Sequence, residues 1–213
     1  MAQHKRASPG GTAVTDYADP RERILAAAFR VVARDTISGT RMPVIAKEAN
    51  LSQGALHYYW DTKENLLLNL LAWLLTAFRE GRGISSGDSV PPAEAGEPAV
   101  GLARQMALVR LLITKEPEMS RVYYDFWVQA ASRSGPLQES MRHELERYRS
   151  DLKRTMLPDS HPEFDIDALA AVFLGLLEGP LLQLALDGDA FDSDEYLKIA
   201  ERLMSEAVGP ALR

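Results

Sequence analysis

Asn50 and Ser52 separate two short apolar repeats, and that separation constrains the fold more than any other feature of the chain. Residues 40–66 read TRMPVIAKEANLSQGALHYYWDTKENL. Ile45, Ala46 and Ala49 fall on one face of a short helix. Asn50 stands where a left-handed residue must end it, a conformation Asn tolerates almost as well as Gly. Leu51 plugs the turn from the apolar side, Ser52 is a good N-cap for the next helix, and Leu56 is its first core position. Pro43 is acceptable only in the first turn of the earlier helix, where its missing N–H has no helical partner anyway, so Thr40 is the expected cap. Two short helices joined by so tight a turn, followed by a third from Thr62, have the pattern of a DNA-reading helix-turn-helix.

A helix starting at Ser52 presents Gln53, Ala55, His57 and Tyr58 outward, and no carboxylate lies between Ala49 and Trp60 to repel phosphate. In such elements the first residues of the second helix meet base edges, while surrounding hydroxyls, amides and cations hold the backbone. Gln53 can pair with adenine through its amide and Ala55 can touch a thymine methyl. Ser52, His57, Tyr58 and Lys63 can reach phosphates. The same residues also suit a solvated face of an ordinary helical domain, and spacing alone leaves both readings open.

Residues 24–70 resemble the N-terminal domain of TetR-family transcriptional regulators. The family pattern is a Thr-capped second helix containing Ile-Ala and ending Ala-Gly-Val-Ser, then a Gly, the run Leu-Tyr-x-His-Phe and a closing Lys-Glu-x-Leu. This chain has Ile-Ala at 45 and 46, Ala-Asn-Leu-Ser at 49–52, Gly54, Leu-His-Tyr-Tyr-Trp at 56–60 and Lys-Glu-Asn-Leu at 63–66. His57 stands where a phosphate-binding Tyr is usual, and Tyr59 and Trp60 replace His and Phe, which looks like the betaine-regulator type of the family. Pro43 occupies a position often filled by an Arg that reads guanine in some members. That contact is lost, and Arg41 is the candidate to replace it. The resemblance thus implies a DNA-facing set of Thr40, Arg41, Ser52, Gln53, Ala55, His57, Tyr58 and Lys63.

Net charge opposes DNA binding until it is divided. The chain carries −6, but residues 1–64 hold nine Lys or Arg against seven Asp or Glu, leaving 15 against 23 for the remainder. The acidity belongs to the second part, and the less acidic end is the one that would meet phosphate, with modest nonspecific affinity.

The expected organisation is all-α, with about nine helices: a disordered tail over 1–19, a helix-turn-helix domain over 20–66, and an effector-binding and dimerisation domain over 67–213. Pro20 opens the first helix, on which Ile24, Leu25, Ala28, Phe29 and Val32 recur at helical spacing. Lys5 and Arg6 in the tail could enter a minor groove, though a disordered tail is the better account of them. A helix from Thr62 to about Phe78 connects the two parts, and residues 81–98, rich in Gly, Ser and Pro, form a loop.

Five more helices follow, without the period-two alternation of strands. Leu102, Met106, Val109 and Ile113 make one stripe. Met119, Val122, Tyr123, Phe126, Trp127 and Ala130 make a second, and Leu137, Met141, Leu145, Tyr148, Leu152 and Met156 a third. Such stripes are core first, yet Met, Tyr and Trp also adapt to ligands. In the family the corresponding helices enclose the effector pocket, so the resemblance implies Trp73, Met106, Tyr123, Trp127 and Tyr148 as candidate lining for a small-molecule effector of unknown identity.

Residues 166–186 are apolar nearly all round, which on a surface would be a liability. The resemblance implies that this helix and the last one, about 193–208, pack against their copies in a homodimer, through Leu174, Leu177, Leu181, Leu184, Leu197 and Leu203. The acidic-Gly pair at 178 and 179 and the run Tyr-Tyr-Asp-Phe-Trp at 123–127 are similar to the betaine-regulator type. Gly179 and Pro180 should kink the helix. Glu178 beside that kink either neutralises a cationic effector or binds a freed backbone amide or a partner-subunit group.

Enzymatic chemistry finds little support. There is no Cys, no GxSxG, P-loop, GxGxxG or HExxH, and the His residues, at 4, 57, 143 and 161, are too scattered to form a ligand cluster by spacing. Residues 187–195 have the acidic density of a calcium loop but place Phe191 and Asp192 where a ligand and a Gly are required, so a turn with an Asp192 or Ser193 cap fits better. No cofactor is expected. No apolar run reaches the roughly 18 residues of a membrane span, and residues 1–20 are polar, so a cytoplasmic protein without membrane partners is expected. The combined expectation is a ligand-responsive regulator, a repressor released from a double-stranded, palindromic DNA operator by its effector. The alternative is a helical small-molecule-binding module without sequence-specific DNA binding.

Overall fold

The computed structural model describes residues 19–91, 98–156 and 163–208. Within them the fold is all-α, with nine helices, and the one β-type contact is an isolated bridge between Arg82 and Ser89. The expected tail with Lys5 and Arg6 lies outside the described residues except for Asp19. That residue belongs to the first helix as its cap, accepting from Arg21 N at 2.9 Å just before Pro20.

The first four helices are α1 (Pro20–Gly39), α2 (Met42–Glu48), α3 (Gln53–Tyr59) and α4 (Lys63–Glu80). Ile24, Ala28, Phe29, Ile45, Leu56, Leu66 and Leu70 are buried together, with α1 packed against α2 and α4, and α2 against α3. Trp60 is buried beneath Arg21, whose guanidinium lies 6.0 Å from the ring centroid. α4 ends at Gly81, which has φ 67°, and a Cβ there would come within 2.9 Å of the Val90 carbonyl oxygen. Glycine is required at that stop. The expected boundary between residues 66 and 67 falls inside the continuous α4.

The body is α5 (Pro98–Thr114), α6 (Pro117–Ser132), α7 (Pro136–Met156), α8 (Ile166–Leu186) and α9 (Ser193–Val208). Its core joins Leu102, Val109, Met119, Val122, Phe126, Leu152, Phe173, Leu177 and Met204. The Met156 side chain lies outside the described residues. Glu116, 1% exposed, is buried as a carboxylate before α6, but it accepts from Ser85 N at 2.9 Å and Ser86 N at 2.5 Å and so fixes the loop after α4. Asp192 caps α9, accepting from Asp194 N at 2.8 Å and Glu195 N at 3.1 Å.

α8 departs from expectation in one respect. Its 21 residues are long and apolar enough to cross a membrane by length and composition, contrary to the count of apolar runs. In this fold one side of the helix is instead buried against α5, α6, α7 and α9. It runs through Pro180 as one helix. Pro180 has no N–H for the Leu176 carbonyl one turn back, and the Tyr196 hydroxyl of α9 donates to that carbonyl at 2.8 Å.

Because α8 is apolar on every side, sequence alone does not say which face enters the core. Leu174, Leu177 and Leu181 are buried within the chain, as is Leu197 on α9, so they are corrected from interface to core. Leu184 is half-buried and Leu203 is 49% exposed. The apolar side chains left facing outward on these two helices are Val172, Leu182, Leu186, Ile199 and Leu203.

Candidate functional site

The turn between α2 and α3 is built as its residues dictate. Asn50 takes φ 56°, and Leu51 N donates to Ala46 O at 2.9 Å to close the end of α2. Ser52 Oγ accepts from Ala55 N at 3.1 Å and starts α3. Leu56 then points into the core, which leaves Ser52, Gln53, Gly54, His57 and Tyr58 exposed and Ala55 half-buried. Tyr58 is 84% exposed, its ring edge-on to Tyr59. A shallow concavity beside the turn is lined by Pro43, Lys47, Asn50, Ser52 and Gln53. Lys47 was missed in the sequence, although it sits outward between the buried Ile45 and Ala46 and Ala49.

Asp35 on α1 and Glu48 on α2 are paired with arginines. Glu48 binds Arg30 at 2.8 Å and Arg34 at 3.7 Å, and Arg34 also holds Asp35 at 2.9 Å. That pairing holds the Asp35 carboxyl below its ordinary value, the Arg34 hydrogen bond being the largest cause. The exposed cation beside the turn is therefore Lys47, with Arg41 exposed at the start of α2.

Two expected DNA contacts are placed elsewhere. Thr40 is 1% exposed and caps the end of α1 rather than the start of α2, its hydroxyl donating to Thr36 O at 2.6 Å. Thr36, at φ 62° and ψ 166°, bends α1 there, and its carbonyl accepts from both the Thr40 amide and the Thr40 hydroxyl. Arg41 takes the N-cap position of α2 without a side-chain cap bond. Lys63 donates to Ile37 O at 2.7 Å, so its ammonium is held by the bend in α1 instead of facing phosphate. Burial lowers its pKa, with Asp125 opposing.

The second candidate site is a cavity of about 360 Å³ in the body, within the range of small-molecule sites. Of the expected lining it contains Tyr123, Tyr148 and Glu178. Trp73 instead packs edge-on against Phe29, with centroids 6.3 Å apart, at the junction with α1. Met106 is buried in the core of α5, and Trp127 lies behind Tyr123, their centroids 6.2 Å apart. The sequence missed Phe78, the Arg104, Gln105 and Leu108 face of α5, and Ser120. That α5 face lies one residue around the helix from the Leu102 and Met106 stripe, a displacement apolar periodicity does not register.

Charges around the cavity are mostly paired with one another. Arg79 binds Glu144 at 3.3 Å and Arg154 binds Asp151 at 2.7 Å, while Arg104 donates to Arg79 O at 2.6 Å. Glu178 differs. Among the described residues no cation pairs with it, and its partner is Tyr124, whose hydroxyl lies 2.8 Å from Oε2 and 2.6 Å from the Glu178 carbonyl oxygen. Desolvation pushes the Glu178 carboxyl up to about 7 against the hydrogen bond from Tyr124, which lowers it. The Tyr124 hydroxyl has one proton for two oxygens, so a protonated Glu178 supplies the second bond itself. Burial also raises the Tyr123, Tyr124 and Tyr148 hydroxyls, which stay neutral donors. Ser120 Oγ is buried without a partner. The cavity thus has apolar walls, one acid free of any cation and one unused hydroxyl.

Comparisons with known proteins cover both sites. Residues 24–70 match the model of bacterial regulatory proteins of the tetR family, and residues 102–209 match that of the BetI-type transcriptional repressor C-terminal region. The HTH-type transcriptional regulator BetI of Pseudomonas fluorescens is 25% identical over 195 residues, covering 86% of this chain and 90% of its own. A transcriptional regulator from Rhodococcus sp. is similar in structure at TM-score 0.70 and 24% identity, over 88% of this chain and 95% of that one. A TetR transcription regulator from Haloarcula marismortui gives TM-score 0.69 at 22% identity, over 90% and 97%.

Proposed function

The chain belongs to the TetR family of bacterial transcriptional regulators, with a BetI-type C-terminal region, and from that premise we propose that this DNA-binding, ligand-responsive regulator is a homodimeric repressor of the cytoplasm, released from a near-palindromic operator by a small-molecule effector. Residues 20–66 form the reader and 67–213 the effector and dimerisation part. The family consists of regulators rather than enzymes. Gln53 and Ala55 read bases, with Arg41 the candidate for a further base contact, while Lys47, Ser52, His57 and Tyr58 hold phosphates. The observation that carries this reading is the exposed α3 face, which has no carboxylate and starts at a capped, left-handed turn.

A dimer would set its two α3 helices about 34–36 Å apart, one turn of duplex DNA. An effector in the cavity acts only if it prefers a body conformation in which that separation differs, since equal affinity for both states shifts nothing. Glu178 and Ser120 favour an effector that brings a hydrogen-bond donor or a positive charge into largely apolar walls.

The test is selection of random duplexes by the purified protein, then anisotropy of the winning sequence at two salt concentrations. An inverted repeat bound at nanomolar strength is expected. Weak binding without sequence preference, abolished by moderate salt, would favour a ligand-binding module instead. On the winning duplex, Gln53→Ala should cost about 1–3 kcal/mol and relax preference at one position of each half-site; a uniform loss across all sequences would remove Gln53 from base reading.

A further inference from the structure

Thr36 is a β-branched residue at φ 62° and ψ 166°, a region populated essentially by glycine. Such a conformation persists only where its surroundings hold it. The bend frees the Ile37 amide from the α1 hydrogen-bond ladder, and Asp125 Oδ2, from α6, accepts that N–H at 2.5 Å. Lys63 Nζ, from α4, donates to the Ile37 carbonyl at 2.7 Å. Gln129 Nε2, one turn beyond Asp125, donates to Ser38 Oγ at 3.1 Å. Both backbone groups of Ile37 are therefore held by side chains from other helices, and α6 supplies two of the three tethers.

The bend leads directly into the reader. Thr36 O accepts from Thr40 N at 3.0 Å and from the Thr40 hydroxyl, and Arg41 O then accepts from Val44 N at 3.0 Å to begin α2. On α6, Asp125 follows Tyr124, which holds Glu178 at the cavity. Adjacent residues on one helix thus hold a residue of the cavity wall and the bend, and Tyr123, two residues before Asp125, lines the cavity itself.

We propose that Asp125 is a positioning residue that latches the strained bend of α1 to α6 and so sets the reader's α1–α2 corner from the helix that walls the effector cavity. The proposal rests on the DNA-reading function above. Displacement of α6 by an occupant of the cavity withdraws the carboxylate from Ile37, and the corner loses the contact that fixes its angle.

The test uses the full chain with Asp125→Ala, Asp125→Asn and the double variant Thr36→Gly with Asp125→Ala, read by affinity for the selected duplex, by hydrogen exchange of the Ile37 amide and by thermal midpoint. Asp125→Ala should weaken duplex binding roughly tenfold, the change expected on losing a hydrogen bond to a charged group. It should also speed Ile37 exchange by at least as much. Asp125→Asn keeps an acceptor and should stay within about threefold of the parent protein. Thr36→Gly relieves the backbone without restoring the carboxylate, so the double variant should recover duplex affinity while Ile37 exchange stays fast. Parent-like exchange at Ile37 in Asp125→Ala would overturn the latch, and that readout needs no duplex. If the parent protein selects no duplex, the regulatory reading fails on its own, and the exchange data still decide the contact. A double variant no better than Asp125→Ala would overturn the positioning role.

Discussion

Glu178 shows how one residue can be stable in a fold at the cost of a pH dependence. Its carboxyl is pushed to about 7 by burial, whereas unfolded it would titrate at an ordinary value near 4.3. Between those values the folded chain holds a proton that the unfolded chain has lost. Stability therefore falls as pH rises from about 4 to about 7, by roughly 3–4 kcal/mol at most. Glu178→Gln should flatten that slope in urea titrations across this range, and an unchanged slope would mean that the carboxyl is already ionised in the folded state. Lys63 gives a second residue-scale prediction. Because its ammonium is held by Ile37 O, Lys63→Met should weaken duplex binding without changing the salt dependence. A phosphate contact would lower the slope of log K against log salt by about one, and observing that drop would restore Lys63 to the DNA face. The contrast with Asn50 and Ser52 explains what the sequence disclosed. A left-handed stop and an N-cap are decided within four residues, so their types reveal them. Thr40 and Lys63 find their partners only because Thr36 bends α1, and no propensity places a threonine there.

At the scale of elements, the helices were legible because each needs one apolar face at a period of 3.6, and nine such segments were readable as such. α8 resisted because an all-apolar helix has no periodic signal to orient it, so Leu174, Leu177 and Leu181, assigned to an interface, turned out to be core. Its proline shows how neighbouring elements complete one another. Pro180 leaves the Leu176 carbonyl without a helical donor, and Tyr196 of α9 provides one at 2.8 Å. Tyr196→Phe should then destabilise the chain by about 1–3 kcal/mol, the cost of a buried unpaired polar group. In a Pro180→Ala background the restored amide satisfies Leu176 and the same substitution should cost much less. Denaturation midpoints of the four proteins form the cycle, and equal costs in both backgrounds would show that the Tyr196 hydroxyl matters for some other reason. The cavity was only half legible for a related reason. Aromatic type suggested Tyr123 and Tyr148, but Ser120 and the polar face of α5 are recognised as lining only once the helices are set side by side.

The whole molecule leaves one apolar surface unexplained within a single chain. Val172, Leu182, Leu186, Ile199 and Leu203 stand exposed on α8 and α9, with Leu186 at 83% and Leu203 at 49%. Side chains of that size stabilise by about 1.5–3 kcal/mol each when fully buried, and a second copy of the same pair of helices offers a matching surface related by two-fold symmetry. In the dimer proposed above, the reader would gain from that pairing beyond the contacts themselves. One α3 meets one half-site, and tethering two of them makes the second half-site an intramolecular encounter at high effective concentration. This is also how a reader of low net charge can achieve tight binding beside an acidic body. Replacing Ile199 and Leu203 together by Glu adds four charges across the proposed interface and should yield a folded monomer in sedimentation equilibrium. Affinity for the full operator should fall by two orders of magnitude or more, within the range over which avidity operates, while helicity and the affinity for a single half-site remain as in the parent protein. If the double variant sedimented as a dimer, the interface would lie elsewhere on the chain. If it were monomeric yet bound the full operator undiminished, two-fold symmetry would have no part in recognition, and each chain would have to read its duplex alone.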